Sequence, residues 1–111
     1  MHRSLLLSLL CVSLSSGQDR AALAIIEKAA GFVGFYTAGG KRVAEVKVGN
    51  FPHEGVLSPD GRLLYVTDNG VLWLTDEGDG GNTVSIIDVR TMKKTGVIDL
   101  GRFRRPHGIA L

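Results

Sequence analysis

The sequence predicts an all-β chain of short antiparallel strands, and three observations lead there. Fifteen of the 111 residues are glycine, about double the usual share of roughly 7%. Only three are proline and no Gly-X-Y period runs through them, so collagen is excluded. Short apolar runs stand between the glycines, as strands stand between turns. Finally, one template occurs twice. A chain of this length holds one small domain at most. At 44% hydrophobic and 22% charged it is not a disordered tail. A net charge of +2 sets up no field that would select a partner.

The first element is an address. Residues 1–17 read MHRSLLLSLLCVSLSSG. Arg3 supplies the positive start, Leu5 to Leu14 the apolar stretch, and Ser15 and Gly17 the small residues before a cleavage site ahead of Gln18. That is the pattern of a secretory signal peptide. It is too short to span a membrane as a helix, which takes about 20 apolar residues. Cys11 invites a lipoprotein reading, but Leu10 stands where a small residue belongs. The expected location is therefore exported, periplasmic or extracellular. The only cysteine leaves with the leader, so the remaining domain is held by packing and hydrogen bonds.

Residues 18–111 carry the repeat. One copy runs from Val33 to Gly49 and is followed by Pro52-His53. The other runs from Val84 to Gly101 and is followed by Pro106-His107. A second echo pairs Leu23–Lys28 with Leu64–Asn69. A period of roughly 50 residues falls among propeller blades. Each element then takes its place. Residues 53–57 form strand A. Ser58-Pro59-Asp60-Gly61 suits a type I turn, with Pro second and Gly fourth. Strand B follows over 63–68, with Tyr65 and Val66 on opposite faces. A glycine-rich loop at 78–81 leads into strand C, 83–88, and strand D covers 94–100. Four antiparallel strands with short connections make one blade. Upstream, 23–27, 32–36 and 42–48 are B, C and D of an earlier blade. Arg20 to Ala30 is rich in helix formers, but the repeat places a strand at 23–27. The expected organisation is blade one at 23–49, blade two at 52–101, and the start of a third strand A at 106–111.

The run LSPDGRLLYVTDNG (Leu57–Gly70), the later GGNTVSIIDVRTMKKTGVIDLG and the terminal RPHGIAL resemble the YVTN family of β-propeller repeats. The resemblance covers residues 23–111. It implies a propeller of a kind found in secreted and surface-layer bacterial and archaeal proteins. Related propellers occur in lactonases of the 6-phosphogluconolactonase type and in the haem-binding domain of dissimilatory nitrite reductases. Two departures stand out. Val71–Asp79 is an insertion between strands B and C, and fewer than two whole blades are present where propellers use 4–8. The expectation is the N-terminal part of a longer propeller. A short product that assembles into a ring and a non-functional remnant are the other readings. The expected partners are accordingly further blades or further copies.

In an antiparallel blade the start of A, the end of B, the start of C and the end of D share one edge. That edge should collect His53, Glu54, His107, Arg104, Arg105 and the insertion with Trp73, Asp76, Glu77 and Asp79. His53, Glu54 and His107 are the candidate catalytic residues, since imidazole titrates near neutrality and binds metals. The plain alternative is that Pro-His belongs to the repeat, with the imidazole bonding a neighbouring backbone. Arg104 and Arg105 suit a carboxylate or phosphate, or lie in solvent. Trp73, between Leu72 and Leu74, either pins the insertion to the blade, which its neighbours favour, or faces a ligand. Asp76, Glu77 and Asp79 are weak cation ligands, because their spacing matches no calcium loop. Asp60 and Gly61 are turn residues.

No nucleophile elbow, HExxH, CxxC or P-loop is present. The favoured reading is a binding scaffold for a small ligand or a protein, without cofactor, nucleic acid or membrane span. The alternatives that the resemblance implies are a lactonase-like hydrolase, using His53, Glu54, Arg105 and His107, and a haem-binding propeller with a histidine axial ligand.

Overall fold

The computed structural model describes residues 20–111. The signal peptide expected at 1–17 lies outside the described residues. Seven strands follow in order: β1 Leu23–Glu27, β2 Phe32–Tyr36, β3 Arg42–Lys47, β4 Pro52–Leu57, β5 Leu63–Asp68, β6 Thr83–Asp88 and β7 Lys93–Asp99. They form two antiparallel meanders, β1-β2-β3 and β4-β5-β6-β7. This all-β arrangement of a three-stranded and a four-stranded sheet is consistent with partial propeller blades.

The turn chemistry explains the register. Gly61 N–H closes the β4–β5 turn on Ser58 C=O at 2.8 Å. The Asp60 carboxylate accepts from the Ser58 hydroxyl at 2.6 Å and from Arg62 N–H at 3.0 Å. Those two bonds hold the Asp60 carboxyl below its ordinary range, the Ser58 hydroxyl contributing most. At the same end of the sheet, Asp88 accepts from Thr91 N–H at 3.0 Å and tightens the β6–β7 turn. Residues 20–30 are strand and turn rather than helix. Ile25 to Glu27 pair with Phe32 to Gly34, and tertiary pairing overrides the helix preference of those residues.

The core lies between the two sheets. Val33, Phe35, Val46 and Val48 from the first sheet meet Leu64, Val66 and Ile87 from the second. In each strand these residues alternate with others that face away, which is the period of a pleated sheet. Ile26 of β1 reaches across to β4, where a Cβ on Gly55 would stand 3.2 Å from its Cδ1.

A buried carboxylate ties the sheets together. Asp68, at the end of β5, accepts from Thr83 Oγ1 at 2.7 Å, from Ser85 Oγ at 2.8 Å and from Gly49 N–H at 2.8 Å. Gly49 belongs to the connection leaving the first sheet. A Cβ there would overlap the Asp68 carboxyl, so only glycine lets the backbone approach this closely.

Four boundaries differ from expectation. β4 and β7 each begin one residue early, at Pro52 and Lys93, and β3 and β7 each end one residue early, at Lys47 and Asp99. Residues 106–111 were expected to begin a third strand A but form no strand. A strand is defined by a paired neighbour, and none of the described strands pairs with this segment. Instead it lies against β5. Thr67 Oγ1 donates to His107 C=O at 3.0 Å, and Asn69 Nδ2 donates to Pro106 C=O at 3.2 Å.

Candidate functional site

Those two bonds create the site. Thr67 and Asn69 are buried polar residues flanking Asp68 at the end of β5. Thr67 Oγ1 also accepts from Glu54 N–H at 3.0 Å. One hydroxyl therefore fixes both the β4 backbone at Glu54 and the incoming segment at His107. The imidazoles of His53 and His107 are brought together, ring centroids 3.6 Å apart and planes tilted by 37°. Glu54 joins them, so that one donor atom from each of the three residues lies within 4.8 Å of the others.

The electrostatics favour a neutral imidazole at His53. Burial lowers its pKa most, the nearby His107 and Lys28 lower it further, and Glu54 opposes them. Its Nδ1 is buried and has no hydrogen-bond partner. The expected alternative, an imidazole bonded to a neighbouring backbone, is not realised at that nitrogen.

Beside the histidines opens a concavity of about 600 Å³. Its walls include Val71, Leu72 and Trp73 from the insertion, Lys28 from the β1–β2 turn, and Arg105. The insertion is held from within. Asp76 Oδ2 accepts from Leu72 N–H at 3.1 Å and Trp73 N–H at 2.8 Å. Arg105 holds it from outside, donating to the carbonyls of Leu74 at 3.2 Å, Asp76 at 2.7 Å and Gly78 at 2.6 Å. Its partners are carbonyls rather than carboxylates, so they leave its positive charge in place.

The structure brings His53, Glu54, His107, Trp73 and Arg105 of the expected rim together, with distinct roles. His53, Glu54 and His107 form one cluster. Arg105 spends its fork on the loop while still lining the concavity. Arg104 is exposed. Asp76 braces its own turn, and neither it nor Glu77 nor Asp79 enters a metal-ligand cluster among the described residues. Trp73 corrects the favoured expectation. Its side chain is not pinned beneath the loop but is 67% exposed, because Asp76 anchors the loop through the backbone and leaves the indole free. Sequence reasoning passed over Thr67, Asn69 and Lys28. The signal for the first two was a polar Thr-Asp-Asn run ending an apolar strand. Lys28 carried none, since it reaches the site from the other sheet.

The fold and site define a class: an all-β protein of stacked antiparallel meanders with a polar cluster and a concavity on one loop edge. Among solved structures, a chain of the Kuenenia stuttgartiensis hydrazine synthase is similar, at 26% identity with a TM-score of 0.57 over 68% of this chain. The match spans 20% of that chain, about a fifth of its length. No family model and no curated protein matches the sequence. Among the described residues no helix is long and apolar enough to cross a membrane.

Proposed function

We propose that the chain is part of an exported YVTN-type β-propeller that binds a small ligand on its loop edge. The observation that carries this reading is the concavity beside His53 and His107. It combines an apolar wall, Val71, Leu72 and an exposed Trp73, with the cations Lys28 and Arg105. Pockets of a few hundred Å³ with apolar walls and a few placed polar groups are the usual form of small-ligand sites. The matching ligand is a flat apolar molecule bearing a carboxylate or phosphate. The likeness to one part of the hydrazine synthase chain supports the fold, and we carry over no chemistry from it. The repeat template and the two stacked meanders support the propeller, and residues 1–17 support export.

Trp73 is the only tryptophan, so its fluorescence reports on the concavity directly. Titrating the full chain with 1-naphthoate should quench it saturably, with a Kd below about 1 mM, and Lys28→Met should weaken binding roughly tenfold. Linear, unsaturable quenching in both proteins would sink the reading. Export is checked separately by the mass of the secreted product, which should begin at Gln18.

A second reading is favoured by the clustering of His53, Glu54 and His107. In a lactonase-like hydrolase a neutral His53 would act as the base that activates water. Base consumption on a simple δ-lactone, lost in His107→Ala with fold retained, would support it. A rate equal to buffer would remove it.

A further inference from the structure

We infer that His53, Glu54 and His107 form a binding site for a divalent transition-metal ion. The inference stands apart from the ligand reading, because it rests on different side chains. Two imidazoles and one carboxylate present one donor atom each within 4.8 Å of one another. Around a tetrahedral ion with bonds of about 2.0–2.1 Å, donors stand a little over 3 Å apart. The contraction needed is on the order of an ångström, and the exposed side chains of Glu54 and His107 are free to make it.

The backbone is already arranged for this. Glu54 N–H and His107 C=O are both bonded to Thr67 Oγ1, at 3.0 Å each. The two chain segments are therefore held together before any ion arrives, and only side-chain rotation remains. His53 Nδ1 is buried without a partner, which marks the pair as incompletely satisfied by protein groups alone.

The donor set selects the ion. Two nitrogens with one carboxylate oxygen suit zinc, cobalt, nickel, copper or iron, whereas calcium and magnesium take oxygen ligands. Three protein donors leave a coordination position for water or an anionic group. Both histidines line the concavity, so that position would be reached from it.

The test is titration of the tag-free full chain with Co²⁺, read by its visible ligand-field absorption, and with Zn²⁺ by calorimetry. The expected result is one ion per chain, with affinity reduced at least tenfold in both His107→Ala and Glu54→Gln. Urea midpoints matching the parent show that each variant is folded. Glu54→Gln changes one exposed side chain and serves as the control should His107→Ala loosen the segment. Absence of Co²⁺ absorption in the parent overturns the site. So does binding that both substitutions leave unchanged, since it then belongs elsewhere in the chain.

Discussion

The outward faces of the two sheets are chemically unlike. On the first, the register places Leu23 beside Tyr36, Ile25 beside Gly34, and Glu27 beside Phe32. Charges run across this face: Tyr36 Oη donates to Glu27 at 2.6 Å, and Arg42 pairs with Glu27 at 3.1 Å and Glu45 at 2.7 Å. On the second, Val56, Tyr65, Ile86 and Gly96 stand in one row, and Thr67, Val84 and Ile98 in the next. No charged residue interrupts those two rows. The first sheet has one face for a core and one for water. The second carries apolar rows on both, with the charges of its outer face confined to the end row of Leu63, Asp88 and Lys93, and apolar rows on both faces suit a sheet buried between two neighbours. That asymmetry supports the propeller reading, in which a further sheet covers the second face.

The contrast between the core face and the partly covered outer face of the second sheet sets the scale of the expected mutational effects. Phe35, fully buried between the sheets, should cost about 3–5 kcal/mol as Phe35→Ala. Ile98, 43% exposed on the outer face of the second sheet, should cost below about 0.5 kcal/mol as Ile98→Ala. Urea unfolding measures both, and equal losses would erase the distinction. Next comes Asp68→Ala. It strands Gly49 N–H, Thr83 and Ser85 together and should cost about 3 kcal/mol, whereas Asp68→Asn should recover part of it.

A smaller effect sharpens the comparison from the solvent side. Ile86→Lys should lower self-association in sedimentation velocity while leaving the urea midpoint nearly unchanged, because exposed apolar rows attract one another. A charge added to the first sheet's outer face, as Ile25→Lys, should change association less.

The smallest effect is one of pH. The Tyr36 pKa is raised above 10.0, chiefly because its hydroxyl donates to Glu27. A raised folded value means that the neutral phenol stabilises the fold below pH 10.0, and that this contribution fades as pH rises through the folded value. Glu27→Gln should bring the tyrosinate absorbance transition to lower pH. An unmoved transition would show that the bond does not persist in solution.

Most strands were legible in the sequence because turns announced them. Ser58-Pro59-Asp60-Gly61 and the repeat of Val33–Gly49 at Val84–Gly101 left little freedom for what lies between. What could not be read was anything set by pairing across long separations. Residues 106–111 carry a strand's composition, yet no described strand pairs with them and β5 holds them through side chains. Trp73 looks like a packing residue among leucines until Asp76 is seen to hold the loop by its backbone. The rim was legible as an edge, since antiparallel order alone places His53 and His107 there. That Thr67 would join their two segments was not, because a threonine in a strand signals only β propensity. Lys28 enters the concavity through sheet-on-sheet packing, which no local pattern encodes.

The bond from Thr67 to His107 has a consequence in time. All seven strands are complete by Asp99, while the cluster waits for a residue emerging eight positions later. The core around Phe35 and Val66 takes no residue from the 106–111 segment, so the scaffold can close before that segment docks and be stable before it is competent. Cutting the chain after Gly101 should leave a folded body with half a site. Residues 106–111 act as a key turned in a lock already built.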